Sequence, residues 1–264
     1  MSTAGRVAVV TGAGRGLGRA IAEAYARTGM KVMMMSLNTG ELASAEREIV
    51  SITGGEVISC EGDVSNRADV VRTMQRTLDR FGRIDVLVHN AGIIGPPRFL
   101  EDTDQESWEK TIGINLGGIY LGTREALPHM LKNGQGKIII IVSGLGQMPY
   151  PRFLAYAVSK AGAIQFTRSL ASEFRDRNIQ VNAIDPGVMD TSMQERLREM
   201  GPEVLGEEVH LNFVEYRQRG QLKDPAIVAD LAVFLASSDS DHLTGEIGTL
   251  AQYRRLGWKP STTL

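Results

Sequence analysis

The chain has 264 residues, a formal net charge of −2 and 42% hydrophobic residues, enough to bury a large core within one α/β domain. No basic stripe or charge block supplies the footprint of a nucleic-acid or anionic-membrane binder, so a small neutral or anionic ligand is the better expectation. Cys60 is the single cysteine, which excludes an intramolecular disulfide and a thiolate metal cluster within the chain and leaves it a small apolar side chain at a strand end.

Short apolar runs alternate with longer amphipathic stretches, the pattern of βαβ units around a parallel sheet. A first strand is expected over Arg6–Val10, then a glycine-rich turn and a helix over Arg19–Thr28. A second strand over Lys31–Met35, in which Met33, Met34 and Met35 read as buried packing, leads to a helix over Thr39–Thr53. Next come a strand over Glu56–Cys60, a helix over Arg67–Phe81, a strand over Val86–His89 and a long helix over Gln105–Lys132. A strand over Lys137–Val142, a helix over Tyr156–Arg177 and a sixth strand over Gln180–Ile184 complete the series. Gly29 and Gly82 follow helical stretches, where a left-handed cap is commonly needed.

The strands are short and apolar throughout, as in sheets covered by helices on both faces. No linker, repeat or low-complexity stretch divides the chain, which predicts a single doubly wound domain of Rossmann type. The irregular region from about Pro186 to Lys223 is expected to overhang the ligand crevice, with a substrate lid at about 188–222. The amino terminus lacks the pattern of a secretory signal and no apolar run could span a bilayer, so a cytoplasmic protein is expected. His89, His129, His210 and His242 have no metal-ligand spacing, so no metal is expected, and His89 reads as a satisfied core residue.

The turn Thr11-Gly12-Ala13-Gly14-Arg15-Gly16-Leu17-Gly18 follows a strand and opens a helix. A helix amino terminus presents free N–H groups, so this context favours a dinucleotide pyrophosphate over a simple capping turn. The acidic residue that grips an NAD ribose belongs about twenty positions further on. Ser36-Leu37-Asn38 stands there instead. With no carboxylate to repel a 2′-phosphate, and with Arg15 able to approach it, NADP(H) is favoured and NAD(H) is the alternative. Arg15 could also be a solvated loop residue, and Ser36 could bond either a hydroxyl or a phosphate.

Tyr156 and Lys160 lie four residues apart on one helix face, where an ammonium can favour the ionised phenol and make it an acid-base group near neutral pH. Ser143 ends an apolar strand thirteen residues before the tyrosine, placed to hydrogen-bond a substrate oxygen and stabilise charge that develops on it. Singly, a Tyr on a helix is usually packing and a Lys a solvated charge. Their joint spacing points to catalysis.

With these motifs the chain resembles the short-chain dehydrogenase/reductase family, in its 3-oxoacyl-reductase-like branch, from about Arg6 to Gly245. Gly12, Gly14, Arg15, Gly16, Leu17 and Gly18 match the family's cofactor loop, Asp63-Val64 its adenine-contacting pair, and Asn90-Ala91-Gly92 the motif closing its fourth strand. Asn115, Ser143, Tyr156 and Lys160 occupy its catalytic positions, and Pro186-Gly187-Val188 with Thr191 resembles its nicotinamide-carboxamide clamp. The resemblance implies hydride transfer between a nicotinamide and a carbonyl carbon, with Tyr156 handling the proton. It further implies that Lys160 lowers the Tyr156 pKa and holds the ribose, and that Asn115 holds a water relaying protons to Lys160. Plainer readings remain for three of these: Asp63 as a turn residue, Asn115 as a polar kink, Thr191 as a helix cap.

Leu145, Gln147, Met148, Tyr150, Arg152, Phe153, Ile93 and Ile94 are expected near the substrate. They suit a medium-sized ketone or secondary alcohol with one polar end, including a 3-oxoacyl thioester; Arg152 either supplies a cation there or faces solvent. The family's terminal Val-Asp-Gly-Gly turn is absent, so the tail at about 246–264 is atypical. Arg254, Arg255 and Trp258 there either cover a neighbour's site or pack on their own subunit. A homotetramer or homodimer is implied through the helices that carry Asn115 and Tyr156. A cofactor-sensing scaffold is disfavoured because Tyr156 and Lys160 are both present, and a sugar-nucleotide epimerase because no larger carboxy-terminal domain follows.

Overall fold

The structure, a computed structural model, describes residues 3–261. Its strands are β1 (Val7–Thr11), β2 (Lys31–Ser36), β3 (Val57–Glu61), β4 (Val86–His89), β5 (Gly136–Ile141), β6 (Ile179–Asp185) and β7 (Ile247–Thr249). All pair in parallel, in the order β3-β2-β1-β4-β5-β6-β7. The winding reverses between β1 and β4, and in such sheets the crevice beyond the carboxyl ends of the strands at that reversal holds the ligand.

The helices α1 (Gly16–Arg27), α2 (Thr39–Thr53), α3 (Arg67–Phe81), α4 (Gln105–Ile112), α5 (Gly118–Lys132) and α6 (Leu154–Glu173) form most of the crossovers. Alternate residues of each strand enter opposite cores: Ile139 and Ile141 of β5 pack with Ile21 and Tyr25 of α1, while Ile138 and Ile140 pack with Ile119 of α5 and Ala163 of α6. Burial on both faces explains the unbroken apolar runs. Gly54 and Gly82 close α2 and α3 in the left-handed conformation, as helix carboxyl termini commonly require.

The structure corrects several expectations. The helix over Gln105–Lys132 is split by a π-helical turn, Gly113–Gly117, which contains Asn115. The helix expected over Tyr156–Arg177 begins two residues earlier and ends at Glu173, with a short 3₁₀ turn after it. The span read as irregular is mostly helical: α7 (Ser192–Glu199), α8 (Gly201–Leu205) and α9 (Glu207–Gln218). A further helix, α10 (Pro225–Ala236), lies beyond the expected elements. Every residue from Val228 to Ala236 is buried, so α10 lacks the polar stripe by which amphipathic periodicity reveals a helix.

Among the described residues of the tail, Tyr253 and Trp258 pack on their own subunit while Arg254 and Arg255 are exposed. After β7 comes α11 (Leu250–Arg255), held by a reciprocal capping box between Thr249 and Gln252. The Tyr253 hydroxyl donates to the Ala183 carbonyl at 2.9 Å, and buried Trp258 donates Nε1–H to Asp230 at 3.1 Å. Residues 262–264 of that tail lie outside the described residues.

Candidate active site

The site begins at the turn leaving β1. Gly12 and Gly16 have φ of 64° and 54°, a region that disfavours side chains. A Cβ on Gly12 would lie 2.9 Å from the Ala91 Cα, and one on Gly18 would collide with the Gly12 carbonyl oxygen. Asn90, just past β4, clamps this turn: its Nδ2 donates to the Thr11 and Gly12 carbonyls at 3.0 and 3.1 Å. The Thr11 hydroxyl accepts from the Asn90 and Ala91 N–H groups at 3.1 and 3.2 Å.

No side chain caps α1 and no acid occupies its first turn, so the N–H groups beside Leu17 are left for an external anion. The close-packed glycines and the uncapped helix fit a dinucleotide pyrophosphate. Gly14 lies against the end of β2, where a Cβ would come 3.3 Å from the Ser36 Oγ. Arg15 forms an ion pair with Glu41 at 3.1 Å.

Gly92 joins the two halves of the site, since a Cβ there would lie 3.2 Å from the Asn115 Oδ1 and 3.8 Å from the Lys160 Nζ. Asn115 is buried, accepts from the Ile93 N–H at 2.8 Å, and donates to the Ile93 carbonyl at 2.8 Å and the Ser159 Oγ at 3.0 Å. Ser159 donates in turn to the Tyr156 carbonyl at 2.7 Å. The Asn115 side chain thus ties the exit of β4 to α6.

Ser143 stands in extended conformation at the end of β5, its Oγ accepting from the Leu145 N–H at 3.3 Å. Tyr156 lies half-buried on α6 near Ser143, whose hydroxyl favours the ionised phenol, and the Lys160 Nζ lies 5.7 Å from the phenol ring centroid. Lys160 is buried and donates to the Ile141 carbonyl at 2.7 Å. Burial pushes the Tyr156 phenol up to about 12; the Ser143 hydroxyl opposes the rise and the Asp185 carboxylate adds to it. Burial pushes Lys160 down to about 8. The expectation that Lys160 brings the phenol below its ordinary value is therefore not met, because desolvation penalises both charged forms.

Asp63 accepts from the N–H and hydroxyl of Ser65 at 2.8 and 2.6 Å, so its carboxylate shapes the turn into α3. Val64 is buried against Gly118. Beyond β6, Gly187 takes a φ of 69° and its N–H donates to the Asp185 Oδ1 at 3.0 Å. Lys223 pins this stretch through its Nζ to the Pro186 carbonyl at 3.1 Å, its N–H to the Val188 carbonyl at 3.0 Å, and its carbonyl to the Asp190 N–H at 3.0 Å. Thr191 precedes α7 but makes no side-chain cap bond; its methyl group would be 3.6 Å from a Cβ on Gly16.

Helices α7, α8 and α9 bury Leu197, Leu205, Val209 and Phe213 against Phe153, with Ile94, Leu145, Tyr150 and Tyr156 packed around them. Of the two readings of Arg152, a cation in this lining or a solvent-facing side chain, neither describes its contacts fully. Its guanidinium stacks 4.3 Å from the Phe99 ring centroid and donates to the Val204 carbonyl at 3.1 Å, tying the loop to α8. Met148 is 64% exposed and does not join the cluster.

His89 is a core residue as expected: its Nε2 pairs with the Thr123 hydroxyl at 2.9 Å and burial lowers its pKa to about 3, leaving it neutral. Glu41, Asp185 and Lys223 escaped the sequence reading. Asp185 adjoins the Pro-Gly pair and could have been noticed, whereas Glu41 and Lys223 reach the site only through packing. Among the described residues no helix is long and apolar enough to cross a membrane.

A parallel sheet with a glycine-lined anion cradle and a Ser-Tyr-Lys cluster at the carboxyl ends of its strands defines a nicotinamide-dinucleotide oxidoreductase. Residues 6–202 match the short chain dehydrogenase family. The chain is 38% identical over 242 residues to the 3-oxoacyl-[acyl-carrier-protein] reductase of Synechocystis sp., covering 91% of this chain and 93% of that protein. The crystal structure of levodione reductase superposes with a TM-score of 0.87 at 28% identity, covering 97% of this chain and 99% of that one. Carveol dehydrogenase from Mycobacterium avium, solved in complex with NAD, gives a TM-score of 0.84 at 25% identity over 94% of this chain and 97% of that one. The chain belongs to the short-chain dehydrogenase family and is an NAD(P)-dependent oxidoreductase acting on CH–OH groups and the corresponding carbonyls.

Proposed function

We propose that the protein prefers NADP(H) and interconverts a medium-sized ketone and its secondary alcohol, with Tyr156 as the acid-base group. The observation that carries this is the gathering of Ser143, Tyr156 and buried Lys160 at the carboxyl ends of the strands that also hold the glycine cradle, with the Lys160 Nζ 5.7 Å from the Tyr156 ring centroid. The nicotinamide supplies or accepts the hydride. Gly12, Gly14, Gly16, Leu17 and Gly18 hold the pyrophosphate, Asp63 and Val64 flank the adenine, and Asn90, Ala91 and Gly92 line the floor of the cleft. Pro186, Gly187, Val188 and Thr191 present backbone and a hydroxyl to the carboxamide, and Lys160 holds the nicotinamide ribose.

Ser143 holds the substrate oxygen and Tyr156 delivers its proton in reduction or takes one in oxidation. A phenol held up to about 12 is protonated at neutral pH, the form that carbonyl reduction requires. Asn115 keeps Ile93 and α6 in register behind this pair. The apolar cluster beneath the lid suits aliphatic or cyclic substituents, in keeping with relatives named for 3-oxoacyl, levodione and carveol chemistry. The preference for NADP(H) is supported by Ser36 and Arg15 beside Gly14, with no carboxylate at the end of β2. A homodimer or homotetramer through α5 and α6 is supported by Tyr120 and Val158, 50% and 42% exposed there.

Titration with NADPH and NADH, followed by a panel of ketones and 3-oxoacyl thioesters monitored by loss of the reduced-nicotinamide absorbance, tests the reading. Tighter NADPH binding and bulk oxidation are expected. Tighter NADH binding would overturn the cofactor preference, and binding without net oxidation would overturn the catalytic reading.

A further inference from the structure

We propose that Glu41 sets how strongly the enzyme discriminates between NADP(H) and NAD(H), by competing with the 2′-phosphate for Arg15. The proposal deepens the cofactor reading above and rests on the glycine turn being the dinucleotide site. Residues 36–38, which end β2 and lead into α2, contain no carboxylate. The fold nevertheless brings one to that place from the first turn of α2. Asn38 caps the helix by accepting from the Glu41 N–H at 3.1 Å, which fixes the start of the residue. A Cβ on Gly14 would then lie 3.5 Å from the Glu41 Cβ and 3.3 Å from the Ser36 Oγ. Gly14, Arg15, Ser36 and Glu41 therefore share one corner of the cofactor cleft.

The Arg15 Nη1 donates to the Glu41 Oε1 at 3.1 Å, and Arg15 makes no other side-chain hydrogen bond among the described residues. Glu48, the next acid along the groove between α1 and α2, is engaged by Arg19 at 2.6 Å and Ser44 at 2.9 Å, so it does not substitute for Glu41. Both members of the Arg15–Glu41 pair are partly exposed, at 47% and 36% of their side-chain surface. A pair so exposed is worth at most about a fivefold change in an equilibrium. A 2′-phosphate can open it by forming a stronger charge-assisted contact with the guanidinium, while a 2′-hydroxyl leaves it closed. Glu41 thus reduces the advantage that Arg15 gives to NADP(H), and NAD(H) remains an accepted cofactor.

Dissociation constants for NADPH and NADH, measured by fluorescence on the wild-type enzyme and on Glu41→Gln, Arg15→Ala and the double variant, test the proposal. Glu41→Gln is expected to tighten NADPH about fivefold and to leave NADH within about twofold. With Ala at position 15 the gain from Glu41→Gln should vanish. An equal change for both cofactors, or a gain that persists without Arg15, would overturn the proposal. The coupling is read from changes between variants, so it stands or falls independently of which cofactor the wild-type enzyme binds more tightly.

Discussion

The two ends of the sheet treat buried charge in opposite ways. At the amino ends of the strands each buried ion has a charged partner. Asp85, just before β4, receives two donors from Arg83 at 2.6–2.9 Å and the Val7 N–H at 2.9 Å. Lys137 of β5 reaches Asp241 at 2.5 Å and Ser240 at 3.3 Å. At the carboxyl ends, Lys160 donates to the Ile141 carbonyl and Asp185 accepts from the Gly187 N–H; neither has an ion-pair partner among the described residues. Burial lowers both lysines, but at Lys137 the Asp241 carboxylate opposes it, whereas no partner opposes it at Lys160. A charge buried with its partner has part of its desolvation cost offset; one buried without a partner carries that cost in full, which the catalytic role proposed for Lys160 would explain.

The comparison breaks first at Tyr156. Tyr156→Phe should lower turnover by about a thousandfold while keeping NADPH affinity within about threefold, because the hydroxyl handles the proton and contributes little binding. Near-normal steady-state turnover would refute its role.

Lys160→Met should lower turnover by about a hundredfold, the scale of one well-placed electrostatic group, yet hold unfolding free energy within about 1 kcal/mol, since the buried ammonium was costly. Asp241→Ala should do the reverse. It leaves Lys137 buried without its partner, at a cost of about 1–2 kcal/mol because the aspartate is itself exposed, and kcat/KM should not change. Denaturant melts and kinetics on the two variants together distinguish a paired lysine from an unpaired one.

The smallest effect falls on Asp185. Its carboxylate is one of the influences that raise the Tyr156 pKa, so Asp185→Asn, which keeps an oxygen for the Gly187 N–H, should lower that pKa. Alcohol oxidation needs the deprotonated phenol, so the rising limb of its pH profile should move to lower pH. An unmoved limb, or one moved to higher pH, would remove Asp185 from the electrostatics of the site.

Much of the architecture was legible because it rests on local patterns. Apolar runs marked six strands to within a residue at each end, and the glycine turn could be placed because Gly12 and Gly16 require a positive φ. The Tyr-Lys spacing was legible because helix geometry puts residues four apart on one face. Other features left no such trace. Helix α10 is buried nearly all round, its one charge, Asp230, included, and β7 is three residues long. At Asn115 the sequence offered a polar kink as one reading, but the π-helical turn and the contacts of that side chain with Ile93 and Ser159 came only from the structure.

By itself, the sequence determined the doubly wound α/β class, the dinucleotide turn and the Ser143, Tyr156 and Lys160 constellation, because spacing along a strand or helix translates directly into a shared face. Only the tertiary structure decided that Glu41 meets Arg15, that Arg152 ties its loop to α8, and that Trp258 packs onto Asp230. It also decided that Tyr156 is raised rather than lowered. Those outcomes depend on which distant residues share a site and how completely they exclude water, and neither is written in any local pattern.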